Sequence, residues 1–343
     1  MEKDTMKLLV AYDGSPGADA ALDDLRHAGL PHEAQALIVS VADVFMLPLN
    51  GLDDAAIPES ATYAYSAQVA GVVALRRHEI NRGLAAIHEA QEWAGKGRER
   101  LCALFPAWEV ETFACADSPA WGILKKEGEW KPDLTIAGAT SHSLPENVLL
   151  GSIAQKIVTK SLGSARVGRA NDKESGAPLR LLVGLDGSPD AQVALSVIAA
   201  RDWPAGTEAR VFTILDSRMA LGIASLIPAL ARWTDDGGRD GEDEFAWVYR
   251  MAHEAEEQLR AAGLDATWTV QEGDSKHALL DEARRWGADS IFIGAKGLVG
   301  SSILLHFERF FLGTTATVVA GRAPCSVEVV RMSRTQARRG EFL

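Results

Sequence analysis

Residues 8–22 read LLVAYDGSPGADAAL, and residues 181–195 read LLVGLDGSPDAQVAL. Set side by side without a gap, ten of the fifteen positions are identical, including an unbroken Asp-Gly-Ser-Pro. Such a match around a rare core marks an internal duplication, offset by 173 residues. Each copy has the same grammar. A short apolar run suits a buried strand. Asp-Gly-Ser-Pro breaks it, with Gly free to take positive φ and Pro fixing the turn. An Ala/Leu pattern at helical spacing follows, with Ser and Pro where a helix begins. Strand, tight turn and helix open a βαβ unit.

The totals agree with two such units. A chain of 343 residues corresponds to roughly two domains at about 150 residues each. Its 47% hydrophobic and 24% charged content is that of an ordinary soluble globular protein. The net charge of −12 argues against a broad nucleic-acid surface, which needs clustered Lys and Arg. Cys102, Cys115 and Cys325 are odd in number and form no CxxC, which fits a reducing cytoplasm. The opening MEKDTMKLLVAYDG shows no signal-peptide apolar region, and no run is long enough for a membrane helix.

Along the chain, strands are expected at 7–12, 35–44, 108–115, 133–139 and 165–169, the last short and weak. Helices are expected at 16–28, 67–104, 117–130 and after Gly151-Ser152, with a long connection over 45–66. NDKESGAP (171–178) reads as a linker between a first domain at 5–170 and a second at 179–332. The second half repeats the order: strands open at 179, 209, 266, 289 and 325, with helices between. Residues 217–233 are apolar enough for a helix, and TDDGGRDGED (234–243) is a solvated break. A basic tail follows from 333 to 343. Strands alternating with helices predict an α/β fold of two tandem doubly wound parallel-sheet domains.

In such a sheet, ligands sit beyond the carboxyl ends of the strands where strand order reverses. Three features converge there in each half: the acid after the first strand (Asp13, Asp186), the end of the second strand (Val41, Ile214, two residues before Asp43 or Asp216), and the loop after the fourth strand. That loop reads GATSHSLPENVLLGS in the first half and GAKGLVGSSILLHFERFFLGTT in the second. Together with the DGS turn, it resembles the universal stress protein family in tandem form, over nearly the whole chain. The resemblance implies a Rossmann-like, adenine nucleotide α-hydrolase-like fold. ATP-binding members of the family carry Gly-x2-Gly-x9-Gly-Ser/Thr here, so it implies ATP, with Mg2+ as a possible companion, as ligand. The glycines let backbone approach a triphosphate, and Gly-Ser/Thr opens a helix whose amides favour anions.

The first loop keeps the family spacing from Gly138 to Gly151-Ser152, but Ser141 replaces the second glycine. At positive φ a serine costs on the order of 1 kcal/mol. The second loop keeps Gly294 and Gly297 and ends in Gly313-Thr314, but its spacer (298–312) has fifteen residues, six more than the pattern. It either bulges away or covers the site. Spacing fixes geometry more stringently than one Gly-to-Ser change, so the first half is preferred.

Each feature has a plainer alternative. Asp13 and Asp186 can simply cap a turn, whereas the resemblance places them near the adenosine end. Ser15 and Ser188 read as helix caps rather than nucleophiles, since no GxSxG is present. His142 reads as a solvated loop residue. His78, His88 and His253 lack ligand spacing, so no metal site is assigned. The apolar SSILLHFERFF (301–311) packs on the sheet or forms a docking surface. Three functions are weighed. The first is an ATP-binding stress or signalling module, not an enzyme beyond slow ATP hydrolysis. The second is an interaction protein without nucleotide, whose halves pair by their last strands as family dimers do. The third is a hydrolase of the related SGGxDS type, ranked last because the first loop is DGSP. The expected partners are adenine nucleotide and an unidentified protein, with neither nucleic acid nor membrane. An intrachain pseudo-dimer is expected, and a further homodimer is left open.

Overall fold

The computed structural model describes residues 5–44, 65–139, 150–215, 246–297 and 313–332, with backbone alone for 65–80. The loop carrying Ser141 and His142, the expected helix at 217–233 with Asp216 before it, the break at 234–243, the insertion at 298–312, the tail and most of the 45–66 connection lie outside the described residues.

The first half runs β1 (Lys7–Ala11), α1 (Pro16–Asp24), a 3-10 turn (Leu25–His27), β2 (Gln35–Ala42), α2 (Tyr65–Leu104), β3 (Glu109–Ala116), α3 (Pro119–Trp130), β4 (Leu134–Gly138), α4 (Ser152–Lys160) and β5 (Ser164–Gly168). The second runs β6 (Arg180–Gly184), α5 (Pro189–Ala199), β7 (Glu208–Leu215), α6 (Ala246–Ala261), β8 (Asp265–Glu272), α7 (Ser275–Trp286), β9 (Ser290–Gly294), α8 (Thr314–Arg322) and β10 (Ser326–Val330). The helix expected at 16–28 tightens to 3-10 geometry in its last turn. All ten described strands join one sheet, in the order β3-β2-β1-β4-β5-β10-β9-β6-β7-β8. Read from either edge inward the order is the same, so the duplication in sequence becomes a pseudo-twofold in space. Neighbours within each half are parallel, and only β5 and β10, at the centre, are antiparallel.

Strands buried on both faces explain the unbroken apolar runs. In β1, Leu8 and Val10 face a core beneath α1 and α2, while Leu9 and Ala11 face the opposite side. That opposite core is continuous across both halves. Ile123, Ile157 and Val167 from the first half share it with Leu279, Val319 and Val327 from the second. The linker is also tied down: Lys173 Nζ donates to Asp289 at 2.6 Å and to Pro178 O at 2.8 Å.

The weak strand at 165–169 is in fact the centre of the sheet. It read as weak because Arg166, Gly168 and Arg169 dilute its apolar pattern. Arg166 is fully buried and lies directly across from Glu328 of β10. Its guanidinium donates to Asp24 (2.7 and 3.1 Å), to Ser290 Oγ (2.9 Å) and to Glu328 (3.4 Å). Arg201 holds the other side of Glu328 at 2.5 and 2.9 Å. Arg169 and Arg331 flank this network as a symmetric pair. Each reaches across the seam to cap the last helix of the other half: Arg169 donates to Ala320 O and Cys325 O, and Arg331 donates to Val158 O and Gly163 O.

Candidate functional site

The chain reverses its direction across the sheet at β1, between β2 and β4, and again at β6, between β7 and β9. The two Asp-Gly-Ser-Pro turns stand at these points and are built alike. Gly14 has φ 73° and Gly187 φ 80°, the left-handed region that explains glycine after each aspartate. Asp13 Oδ1 accepts from Ser15 N at 3.0 Å, and Asp186 Oδ1 from Ser188 N at 3.0 Å. Ser15 Oγ accepts from Ala18 N (3.2 Å) and Ser188 Oγ from Ala191 N (3.3 Å). Both serines are therefore helix caps, as their spacing predicts. Tyr12, buried beside the first turn, donates its hydroxyl to Asp19 at 2.7 Å. Burial, reinforced by that carboxylate, pushes its phenol up to about 12.

Gly138 and Gly294 end β4 and β9 against the N-termini of α1 and α5. A Cβ on Gly138 would stand 2.3 Å from Gly17 O, and one on Gly294 would stand 2.7 Å from Ala191 N. Glycine is required at both places because backbone meets backbone. Gly151 and Gly313 are N-caps with matching dihedrals (φ −61°, ψ 150° and φ −60°, ψ 149°), and neither helix has a side-chain cap. Among the described residues, no side chain caps the first-turn amides of α4 and α8, which start at Ser152 and Thr314 and are placed to meet a ligand or solvent. In the second half the loop ends meet despite the longer spacer. Gly313 N donates to Ala295 O at 2.8 Å, and its Cβ position lies 3.7 Å from Gly297 N. Asp186, Gly294, Gly297, Gly313 and Thr314 are therefore gathered at one place. In the first half Asp13, Gly138, Gly151 and Ser152 occupy the equivalent positions, while Ser141 lies outside the described residues.

Val41 and Ile214 lie at the carboxyl ends of β2 and β7, as expected. The Val41 side chain is turned onto α3, where a Cβ on Gly122 would come within 3.0 Å of it.

One residue here escaped the sequence reading. Asp190, in the first turn of α5, accepts from Lys296 N (3.1 Å) in the loop after β9 and from Met332 N (3.0 Å) after β10. Burial raises its pKa above the ordinary carboxylate value, although the two amides pull the other way. The signal was present in the aligned repeats, where Asp190 stands opposite Gly17 as one of the five differences. Among the described residues, no group of three His, Cys, Asp or Glu side chains is placed to hold a metal ion, and no helix is long and apolar enough to cross a membrane.

Comparison with known proteins agrees with this architecture. The sequence profile of the universal stress protein family matches residues 5–162 and 179–331. Universal stress protein Sll1388 of Synechocystis is 29% identical over 75 residues, which is 22% of this chain and 45% of that protein, so the match spans under half the relative's length. A universal stress protein structure from Archaeoglobus fulgidus superposes with a TM-score of 0.60 at 18% identity, covering 96% of this chain and 99% of that one. The functionally unknown protein PA1789 of Pseudomonas aeruginosa superposes with a TM-score of 0.53 at 12% identity, covering 99% and 97%. At these identities the structures bear on the fold alone. The matched profile covers both halves, and the chain belongs to the universal stress protein family, with two such domains in tandem.

Proposed function

We propose that this protein binds an adenine nucleotide, ATP with its Mg2+ counter-ion, and acts as a cytoplasmic stress-response or signalling module. The observation that carries this reading is the repeated loop. In both halves a strand ends in a glycine packed on the DGSP helix, and the next helix opens on a glycine that leaves its first amides uncapped. Such amides and the helix dipole favour a phosphate. By family resemblance, Asp13 or Asp186 lies at the adenosine end and the backbone at Val41 or Ile214 beside the base. The phosphates then rest on Gly138, Ser141, Gly151 and Ser152, or on Gly294, Gly297, Gly313 and Thr314. Turnover is expected to be slow at most.

The test is a nucleotide inventory of freshly purified protein by ion-exchange chromatography, followed by calorimetry of the stripped protein with Mg·ATP. Near-stoichiometric nucleotide or saturable heat supports the proposal. Loss of that heat in Gly151→Val or Gly313→Val assigns the half. Protein that is empty as purified and gives no heat refutes nucleotide binding and leaves the interaction-protein reading. Rapid release of ADP would overturn the non-enzymatic part.

A further inference from the structure

We infer that only the N-terminal half takes the nucleotide, because in the C-terminal half the Asp190 carboxylate already holds a backbone amide of the phosphate loop. This rests on the nucleotide reading above and adds which half binds, and why.

The described parts of the two sites are built alike, so their differences can be isolated. Gly138 packs on Gly17 and Ala18 at the start of α1. Gly294 packs on Asp190 and Ala191 at the start of α5. Gly17 and Asp190 are thus equivalent in space as well as in the aligned sequence. In the first half this position has no side chain. In the second its carboxylate spans two loops, accepting from Lys296 N and Met332 N. A backbone amide in a phosphate loop is a donor for an anion, and here an anion of the protein itself holds it.

A further contrast points the same way. The second turn is the more enclosed. Ser188 is fully buried and Asp186 half-buried, whereas Ser15 is half-buried and Asp13 exposed. A triphosphate entering the second loop would have to displace Asp190 from the Lys296 amide and accept beside it a carboxylate that the first half lacks. Burial already disfavours the charge Asp190 carries, and further negative charge beside it is repelled more strongly than in water. The occupied loop then has a structural role, tying β9, β10 and α5 together near the seam.

The experiment photolabels the whole protein with 8-azido-ATP and maps the labelled peptides, with calorimetric stoichiometry measured in parallel. One nucleotide per chain is expected, with label confined to residues 5–170. Gly17→Asp places the carboxylate in the first half, in a first helical turn where an acidic residue is well tolerated. It should weaken binding at least tenfold with an unchanged melting temperature. Asp190→Gly should add label within 179–332 and raise the stoichiometry towards two. Label in the second half of the wild type, or full affinity in folded Gly17→Asp, overturns the inference while leaving the nucleotide reading intact. A folded Asp190→Gly protein, verified by circular dichroism, that gains no second site refutes Asp190 as the barrier. No binding by the wild type in either assay takes down both readings together.

Discussion

Replacing Arg166 by Met tests the centre of the molecule. Arg166 and Asp24 have fully buried side chains, and Glu328 is 1% exposed. Removing the guanidinium leaves Glu328 still paired with Arg201 at 2.5 Å. It leaves Asp24 with Ser326 Oγ, at 2.7 Å, in place of a bidentate cation. An uncompensated buried charge of that kind costs about 3–5 kcal/mol. The cost should therefore belong to the stranded Asp24 and not to the loss of attraction. Asp24→Asn together with Arg166→Met removes both charges and keeps an acceptor for Ser326. The double variant should accordingly be more stable than Arg166→Met alone, with a coupling of about 2 kcal/mol in the double-mutant cycle. Guanidinium chloride unfolding followed by far-ultraviolet circular dichroism supplies the four free energies, with the slope as a check on two-state behaviour. Because β5 and β10 join one sheet over one continuous core, the wild type should unfold in a single transition. A cost below about 1 kcal/mol for Arg166→Met, or a double variant whose cost equals the sum of the singles, would show that the seam does not depend on this network.

Three further outcomes follow from other sites. Gly138→Ala forces a methyl to within 2.3 Å of Gly17 O, and because both partners are backbone it should cost about 1–3 kcal/mol in thermal or denaturant unfolding; an unchanged midpoint would refute the close approach. Burial pushes the Cys325 thiol from 9.0 up to about 12, which lowers its thiolate fraction at pH 8 by about a thousandfold. Mass spectrometry after brief native alkylation should find Cys325 unmodified, and early labelling there would contradict its burial. The Tyr12 phenol titrates at about 12 where 10.0 is ordinary, so an absorbance titration should show a late phase that Tyr12→Phe removes. The folded state holds that proton longer than the unfolded one, so this contribution to stability is complete below pH 10 and declines as pH rises towards 12.

The fold was legible because its determinants are local. The DGSP turns, the apolar runs of β1 and β6 and the Gly-Ser and Gly-Thr helix starts each carry their conformation in a few adjacent residues. β5 was harder to read because its stability comes from partners far along the chain. Arg166 makes sense in a strand only beside Asp24, Ser290 and Glu328, at separations of 142, 124 and 162 residues. Helical and strand periodicity treat such an arginine as a solvated residue, and no composition rule signals its burial. The site shows the same division. Its glycines and caps follow from local geometry, while the role of Asp190 depends on amides at Lys296 and Met332 that the sequence places 106 and 142 residues away.

The two halves preserve symmetry in some places and lose it in others, and the pattern has a physical cause. Arg169 and Arg331 make matching contacts across the seam, because each lies off the pseudo-axis and meets a different residue of the other half. Arg166 and Glu328 occupy equivalent strand positions and pair directly with each other, so they straddle that axis. In a pair of identical domains, such a position would face its own copy, and a buried Arg would meet a buried Arg. Opposite charges are possible there only once the two copies can mutate separately, within one chain. The Gly17 and Asp190 difference has the same origin. A substitution that places a carboxylate at this helix start would place it in both halves of a symmetric dimer, but in a tandem chain it ties α5 to the segments after β9 and β10 and leaves Gly17 unchanged. Covalent duplication is thus what allows a charged axis and an asymmetric pair of loops to coexist in one sheet.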